Sequence, residues 1–430
     1  MASALSTVSD PSEHDGNQHA AGAVSRAPQW WRNEPLLRRF VCDLLAAEFT
    51  AMRPAGVALP SMPWDLALHL RLDLGADSLE LLQLATAFAG AIHLHETGIE
   101  DHLLARPTLG DWVLVAQAGL VQFSARLSFR TSGSTGQPKT CTHALTALWQ
   151  EAEALARLFP QRVRILSAVP SHHIYGFLFT VLLPHALEIA AEPVVDLRSA
   201  SAVRLRQLAG PGDLVVAHPA FWQAAVQVLR GIAPDVLGVT STAPCPDRLS
   251  ADVRAAGLSS LTQIFGSSET AGLGWRDHES RPFALFEFWR RDPAREHGLA
   301  RVMADGSLTP FTAGDALAWT DDRHFLPCGR RDAAVQVGGV NVFPDAVKKA
   351  LLAHPEVHDA AVRLMRSDEG VRLKAFIVPT NAQADPVALH VRLTAWIDAR
   401  LSAPERPRAL TFGAQCPIGQ NGKDADWIIA

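Results

Sequence analysis

The sequence has 430 residues, of which 48% are apolar and 19% charged, and it carries a formal net charge of -5. This length predicts about three domains with large cores, the composition excludes a disordered protein, and the acidic balance argues against nucleic acid as the principal partner. No apolar run approaches the roughly 18 residues that a membrane span requires. The five cysteines are scattered without a Cys-x-x-Cys pair, which indicates neither zinc nor disulfides and favours a reducing cytoplasm.

The front of the chain is expected to be helical after a disordered, polar tail at 1–27. Apolar residues recur three and four positions apart over 35–52, which predicts an amphipathic helix. Asp77 is placed to cap a second helix that runs towards Gly90. A short helix at 99–104 and a last one at 108–118 complete a helical segment that we assign to 28–120.

The second helix opens with Gly75-Ala76-Asp77-Ser78-Leu79. A helix, a long loop, a Gly-x-Asp-Ser-Leu opening and two further helices together resemble an acyl carrier domain. The resemblance implies that Ser78 carries phosphopantetheine. The alternative is that Asp77 and Ser78 only cap a helix in a structural bundle.

The stretch from Ser128 to Lys139 concentrates hydroxyl residues, glycines and a lysine. Such a loop can turn backbone N–H groups inward and add an ammonium, which suits a polyphosphate. Gln137 and Pro138 separate the last glycine from the lysine, so the spacing departs from the Walker pattern. A Ser/Gly linker is the alternative. The candidate phosphate-binding residues here are Thr131, Ser132, Gly133, Ser134, Thr135, Gly136 and Lys139.

The string Thr-Ser-Gly-Ser-Thr-Gly-x-Pro-Lys closely resembles the phosphate loop of the adenylate-forming superfamily, which includes acyl-CoA and aryl-CoA ligases, peptide-synthetase adenylation domains and luciferases. The resemblance covers roughly 124–430. It implies an α/β fold with a large adenylate-forming core at 121–330 and a small mobile α+β C-terminal domain at 331–430. The carrier-like segment stands where relatives have a longer opening subdomain. ATP and magnesium are the implied cofactors.

Secondary-structure patterns agree with this division. Helices are predicted at 145–158 and 219–231, and buried strands at 163–169, 213–217 and 236–240. In the C-terminal domain we expect helices at 345–353 and 386–401 and strands at 357–363 and 373–379.

Two motifs flank the expected acid and phosphate sites. The run from Pro170 to Gly176 resembles the family's Pro-x-x-His-x-x-Gly motif, which implies that His173 borders the acyl pocket and the phosphate. The run from Phe265 to Glu269 resembles the aromatic-Gly-x-(Ser/Thr)-Glu motif. It implies that Phe265 faces adenine, Ser268 contacts phosphate and Glu269 binds magnesium, for which a carboxylate oxygen is suited. A structural histidine and an ordinary helix cap are the alternatives.

Nucleoside contacts are expected at three further places. Thr242, Ala243 and Pro244 form a small-residue turn after a strand, where ligands of α/β proteins bind. Asp315 follows Ala313-Gly314 and resembles the ribose-binding Thr-Gly-Asp, with alanine replacing threonine. Arg330 lies in a longer match that extends to Pro344 and implies a ribose contact for this residue.

The same match implies how the small domain moves. Asp332 is expected to be the hinge, and Gly338 and Gly339 are expected to lie against the incoming pantetheine arm. Aspartate tolerates the dihedral changes that a hinge requires.

Lysine is rare, because the 39 basic residues include only Lys139, Lys348, Lys349, Lys374 and Lys423. A retained lysine can serve through its compact ammonium. Lys423 ends a run from Pro417 that resembles the family's Pro-x-(Thr/Ser)-x-x-Gly-Lys, with glycine replacing the hydroxyl at 419. The resemblance implies that Lys423 bridges the substrate carboxylate and the α-phosphate during adenylation.

Together these motifs predict an ATP-dependent ligase that converts a carboxylic acid to its adenylate and then to a thioester. The thiol acceptor is either CoA or a phosphopantetheine. In the second case the phosphopantetheine is attached to Ser78 or to a partner acyl carrier protein. The layout resembles the starter-acid ligases of aryl polyene (xanthomonadin-type) pathways, which implies a hydroxybenzoic or hydroxycinnamic acid. The alternative is a non-catalytic nucleotide-binding or carrier-docking protein that keeps the fold.

Overall fold

A computed structural model of the chain describes residues 28–53, 56–131, 139–189, 194–199, 202–295, 297–331, 334–366, 368–381, 383–417 and 425–429. The tail predicted at 1–27 lies outside these ranges. Among the described residues, none of the helices combines the length and the apolarity that a membrane crossing requires.

The front segment is helical, as the apolar spacing predicts. Its first long helix is capped by the Asn33 side chain, which accepts from Leu36 N at 3.3 Å, with Pro35 in the first turn. The second begins with a capping box of Asp77 and Glu80. The helix expected at 99–104 starts three residues later. The four helices are α1 (Glu34–Met52), α2 (Ser78–Ile92), α3 (His102–Ala105) and α4 (Leu109–Gln122).

The central part of the chain alternates strands and helices and then becomes all-β. The helix expected at 219–231 ends at Ala225 and continues as a single 3-10 turn, before the left-handed Gly231 at φ 77°. The elements are β1 (Arg126–Thr131), β2 (Lys139–Ala144), α5 (Leu145–Leu158), β3 (Arg164–Ser167), α6 (Ile174–Phe177), α7 (Leu183–Ala186), β4 (Val194–Asp196), α8 (Ala202–Leu208), β5 (Asp213–Ala217), α9 (Pro219–Ala225), β6 (Leu237–Thr240), α10 (Asp247–Ala255), β7 (Ser260–Ser267), β8 (Ala271–Arg276), β9 (Phe283–Leu285), β10 (Trp289–Asp292), β11 (Gly298–Val302), β12 (Leu308–Thr312), β13 (Asp315–Trp319) and β14 (His324–Arg330).

A nine-stranded sheet in the order β13-β14-β9-β8-β7-β6-β5-β3-β4 organises this part. The strands from β4 to β7 are parallel, and those from β7 to β13 are antiparallel. β5 is buried along its whole length, as expected for a parallel strand covered on both faces. The carboxyl ends of β3, β4, β5, β6 and β7 therefore share one edge, where ligands of open α/β sheets bind.

Aromatic side chains join the front helices to the sheet. Trp30, Phe40 and Phe177 form a fully buried group with ring centroids 5.2 to 5.8 Å apart. Hydrophobic residues of α1, α2 and α4 lie in the same cluster as residues of β1, α5 and the central strands. The segment assigned to 28–120 thus shares its core with the nine-stranded sheet.

The C-terminal domain has its own core, which confirms the prediction of an α/β protein with a small C-terminal domain. Its helix α11 (Pro344–Leu352) packs against β17 (Val357–Leu364), and β19 (Ala409–Phe412) pairs in parallel with β18 (Leu373–Pro379). The elements are β15 (Val335–Val337), β16 (Val340–Val342), α11 (Pro344–Leu352), β17 (Val357–Leu364), β18 (Leu373–Pro379), α12 (Pro386–Arg400) and β19 (Ala409–Phe412).

A buried lysine fastens the last described residues to this domain. Lys374 Nζ lies 2.7 Å from Glu369 Oε2 and 2.8 Å from Asp426 Oδ1, and it donates to the Trp427 carbonyl at 2.6 Å. The Trp427 ring centroid is 5.1 Å from the same ammonium. Because the charge is fully buried, it needs these partners.

Phe40→Ala is expected to lower the free energy of unfolding by about 3–5 kcal/mol, because it opens a cavity between α1 and α6. Urea denaturation followed by tryptophan fluorescence measures this change. Val391→Ala, on the face of α12 that is exposed, is the control. A Phe40→Ala protein whose front helices unfold in a separate early transition, leaving the sheet as stable as before, would contradict the shared core.

Candidate functional site

The phosphate-loop hairpin lies next to the motif that carries Glu269. β1 and β2 are antiparallel and pair Thr131 with Lys139. Lys139 Nζ is 3.9 Å from Glu269 Oε1, with side chains 67% and 45% exposed. An ion pair this exposed adds little stability, and both charged groups are accessible from solvent. Ser132, Gly133, Ser134, Thr135 and Gly136 lie outside the described residues, as does the side chain of Thr131.

The turn between β7 and β8 has a fixed shape. Thr270 Oγ1 accepts from Ser267 N at 3.1 Å, and Ser267 Oγ accepts from Thr270 N at 3.2 Å. His143 Nε2 is 2.7 Å from the Ser268 carbonyl oxygen. A carbonyl only accepts, so His143 must carry its proton on Nε2. Desolvation lowers the pKa of His143, which favours the neutral ring. Its contact with Ser268 was not anticipated from the sequence.

The buried side chains of Glu151 and Arg301 lie next to the same turn, at the start of β8. Glu151 Oε1 accepts from Gly272 N at 2.8 Å, and Arg301 Nη1 lies 3.9 Å from Glu151 Oε2. Arg301 also donates to the Ala147 carbonyl at 2.6 Å. Burial raises the pKa of Glu151 to about 7, although Arg301 opposes this shift. The glutamate and the arginine were missed because no sequence motif marks either of them.

The turn proposed for adenine follows β6, and Phe265 lies in the neighbouring strand β7, two residues past the last residue paired with β6. Ser241 Oγ donates to the Ile264 carbonyl at 2.9 Å, which ties the two strand ends together. Phe265 is half-buried, with its ring 5.7 and 5.4 Å from those of Phe283 and Phe325. The structure describes Thr242, Ala243 and Pro244 in this turn, and Thr242 has a positive φ of 74°.

The double glycine of the C-terminal domain approaches this turn. Gly339 has φ 84°, and a Cβ built on it would lie 2.7 Å from Thr242 Oγ1. A side chain at 339 would therefore be strained twice, by backbone conformation and by contact. The structure thus brings the predicted Gly338–Gly339 loop to the predicted adenine turn.

Asp315 and Arg330 form a second group at the other side of the sheet. They are register partners in β13 and β14, and Arg330 Nη1 lies 3.7 Å from Asp315 Oδ2. Both side chains are 14% exposed. Ala313, which replaces the family's threonine, is buried. β14 is three positions from β7 in the sheet order. No strand pairing in the described part of the chain therefore joins the Asp315–Arg330 pair directly to Lys139 or to Glu269.

The histidine motif turns sharply at its glycine. A Cβ at Gly176 would lie 1.8 Å from the Pro170 carbonyl oxygen, so only glycine fits there. His172 and His173 have ring centroids 4.0 Å apart. His173 is exposed to solvent. Neighbouring atoms still desolvate it enough to lower its pKa, and the Asp43 charge opposes that shift. Burial lowers the pKa of His172 well below its usual range.

The remaining candidates divide between exposed and undescribed positions. Ser78 is exposed in the first turn of α2, beside the capping Asp77. Asp332 and Lys423 lie outside the described residues. The ends of the Lys423 segment are close together, because Ala425 N donates to the Pro417 carbonyl at 2.8 Å.

Within the part of the chain that the structure describes, two places offer candidate ligands for a metal ion. The exposed Glu269 carboxylate at the end of β7 has the hard oxygens that magnesium prefers. His93, His95 and Glu96 also converge. There, however, Arg126 donates to His93 Nδ1 at 3.4 Å and pairs with Glu96. A guanidinium at that position repels a second cation, so Glu269 is the better candidate.

Comparison with known proteins agrees with these motifs. The family model described as "AMP-binding enzyme C-terminal domain" matches residues 346–423. A 4-coumarate–CoA ligase from Rhodobacter capsulatus is 38% identical over 405 residues, which cover 91% of this chain and 100% of that protein. Another from Halorhodospira halophila is 38% identical over 368 residues, covering 85% and 92%. An amide bond synthetase from Marinactinospora thermotolerans has a similar fold, with a TM-score of 0.57, 18% identity and coverage of 90% and 92%.

Glu151→Gln should change how stability depends on pH. The folded protein binds the Glu151 proton more tightly than the unfolded chain does, because burial raises the pKa from 4.5 to about 7. The protonated Glu151 therefore adds to the free energy of unfolding at low pH, and this stabilisation is lost as the pH rises through about 7. Between about pH 5 and pH 8, the free energy of unfolding of wild type should fall by on the order of 2 kcal/mol relative to that of Glu151→Gln.

Urea denaturation at several pH values measures this difference. Glu287→Gln, which removes a carboxylate whose side chain is 65% exposed, controls for the change of charge. Parallel stability curves for wild type and Glu151→Gln would show that Glu151 has no elevated pKa.

Proposed function

Because the chain belongs to the AMP-binding family of acyl-CoA ligases, we propose that it activates a hydroxycinnamic acid such as 4-coumarate and joins it to CoA. Membership in this family makes it an acid–thiol ligase that uses ATP, magnesium and CoA. The acid is inferred from the 4-coumarate–CoA ligase of R. capsulatus, whose entire length is matched at 38% identity. This match is the observation that carries the proposal.

In the first half-reaction, a carboxylate oxygen of the acid attacks the α-phosphorus of ATP, and the bond to pyrophosphate breaks. We assign Lys139 to the leaving phosphates and Glu269 to the magnesium ion, whose charge would neutralise those phosphates. Lys423 would bridge the carboxylate and the α-phosphate, and His173 would border both. Such positioning and charge neutralisation need no protein nucleophile.

Adenine and ribose are assigned to the turn after β6 and to the Asp315–Arg330 pair. The small residues at 242–244 let a flat ring approach the backbone, and Phe265 offers an aromatic face. The Asp315 carboxylate can accept hydrogen bonds from the ribose hydroxyls, and the Arg330 guanidinium can donate to them. A single nucleotide in contact with both groups is part of the proposal.

In the second half-reaction, the CoA sulfur attacks the acyl carbonyl, and AMP leaves. We propose that rotation of the C-terminal domain about Asp332 withdraws Lys423 and brings Gly338–Gly339 to the pantetheine arm. The close approach of Gly339 to Thr242 supports an arrangement of the domains suited to this second step.

CoA fits the structure better as acceptor than a phosphopantetheine on Ser78. The front helices share their core with the sheet, whereas a carrier domain has to move between sites. The R. capsulatus match leaves only about a tenth of this chain unmatched, so it includes most of the front segment. Attachment at Ser78, a separate acyl carrier partner and an aryl polyene pathway stay predictions, and the five free thiols support the proposal of a cytoplasmic enzyme.

Acid-dependent pyrophosphate release from ATP tests the function. With a panel of hydroxycinnamic, hydroxybenzoic and fatty acids, 4-coumarate should give a kcat/KM at least about 10-fold above that of the fatty acids, together with AMP and a CoA thioester. ATP binding without turnover on any acid would instead favour the non-catalytic alternative.

Lys423→Ala should separate the two half-reactions. Adenylate formation is expected to fall about 100-fold or more, because one charged contact to the reacting phosphate is lost. Thioester formation from synthetic 4-coumaroyl-adenylate should stay within about threefold of wild type. Lys349→Ala, at an exposed position of α11, is the matched control, and an equal loss in both half-reactions would refute the role of Lys423.

A further inference from the structure

A buried aspartate of the first helix holds the loop that carries the histidine motif. Ser171 donates to Asp43 Oδ2 through both its backbone N–H and its hydroxyl, each at 2.7 Å. Both residues are buried, and 128 positions separate them in sequence. A single carboxylate oxygen of α1 therefore fixes the backbone and the side chain two residues before His173.

The charge of Asp43 belongs to a compact group of four. Arg198 Nη1 is 2.6 Å from Asp43 Oδ1, and Arg198 Nε is 2.9 Å from Asp196 Oδ2. Arg39 Nη1 lies 3.6 Å from Asp196, and its Nη2 donates to the Val169 carbonyl at 3.3 Å. Two carboxylates and two guanidiniums compensate one another, as buried charges require.

This group sits at the functional edge of the sheet. Ser167 and Asp196 are register partners at the carboxyl ends of β3 and β4, and the loop from Val169 to His173 continues from β3. Charged side chains of α1 contact the loop after β3 and the loop after β4. Two charges of this group act on the histidine pair: Arg198 lowers the pKa of His172, and Asp43 raises that of His173. The two imidazole rings are tilted by 46° to each other.

We propose that Asp43 is a positioning residue for His173, so that the front helices are a working part of the acid-activating site. It acts through Ser171 and through its charge, and it does not touch the reacting atoms. A loop anchored at Val169 and Ser171 and turned tightly at Gly176 fixes the backbone from which the His173 side chain projects. Such preorganisation is needed because misplacement by about 1 Å can cost about 100-fold in rate.

Asp43→Asn tests this assignment, because the amide keeps the shape and one acceptor but removes the charge. Asp213→Asn is the matched control. Asp213 is equally buried and bonds Arg164 at 2.7 and 3.0 Å, but it begins β5 at the opposite edge of the sheet. Both substitutions break a buried pair, and only the first lies near His173.

The kinetic readout rests on the proposed function. For Asp43→Asn we expect kcat/KM for 4-coumarate to fall about 10- to 100-fold while the KM for ATP changes by less than about threefold. Asp213→Asn should leave both values near wild type. An Asp43→Asn enzyme as active as Asp213→Asn overturns the proposal.

A second readout needs no activity. NMR titration of isotope-labelled histidines, with the His173 signal assigned by its loss in His173→Asn, should show a lower His173 pKa in Asp43→Asn than in wild type. The sign follows because the Asp43 charge raises that pKa. Asp213→Asn should leave the His173 pKa unchanged. An unchanged His173 pKa in Asp43→Asn overturns the proposal, even if wild type activates no acid on the panel.

Ser171→Ala covers the case in which Asp43→Asn does not fold. It removes one donor to the carboxylate without leaving an unpaired buried charge. We expect a smaller loss of kcat/KM in the same direction, and wild-type kinetics in this variant would count against positioning through Ser171.

Discussion

The ring of Phe177 connects the parts on which the site depends. It contacts Trp30 and Phe40 of the front segment and Phe129 of β1, with ring centroids 5.2 to 5.4 Å away. Phe177 itself ends α6, four residues after His173. Helix α1, the phosphate-loop hairpin and the histidine motif are therefore packed on one fully buried side chain. Apolar packing of this kind sets their relative positions, because interiors are close-packed and resist displacement.

Buried polar groups then fix particular backbone segments by hydrogen bonds, which apolar packing alone does not do. Glu151 of α5 binds the start of β8, next to the turn after β7, and Asp43 of α1 binds the loop after β3. Each carboxyl receives a backbone N–H and faces an arginine across low-dielectric surroundings. Such groups are costly to bury and are satisfied only in one arrangement. They therefore specify the shape of loops whose own sequences would allow several conformations.

Sequence reasoning succeeded where the pattern is local. The helix at Leu145–Leu158 and the strand at Asp213–Ala217 have the predicted bounds, because the apolar pattern within each segment is enough to identify it. The strands from β8 to β14 were not anticipated. They are short, they pair across turns, and β10 includes Arg290, Arg291 and Asp292, so their stability comes from partners that the local sequence does not reveal.

Sequence reasoning likewise identified some residues of the candidate site and missed others. Motif spacing identified Lys139 and Glu269, which the structure brings together although 130 positions separate them. It could not identify Asp43, His143, Glu151 or Arg301, whose importance lies in contacts with residues more than 100 positions away. A buried carboxyl has no local signature, since its partners are set by tertiary packing alone.

The burial of Lys374 has a chemical consequence for an enzyme of this kind. Acyl-adenylates and thioesters modify accessible primary amines, whereas guanidinium groups stay protonated and do not react. A chain with five lysines among its 39 basic residues offers few such amines. The ammonium that fastens the last described residues is fully enclosed and is thereby shielded from self-acylation by the enzyme's own intermediate.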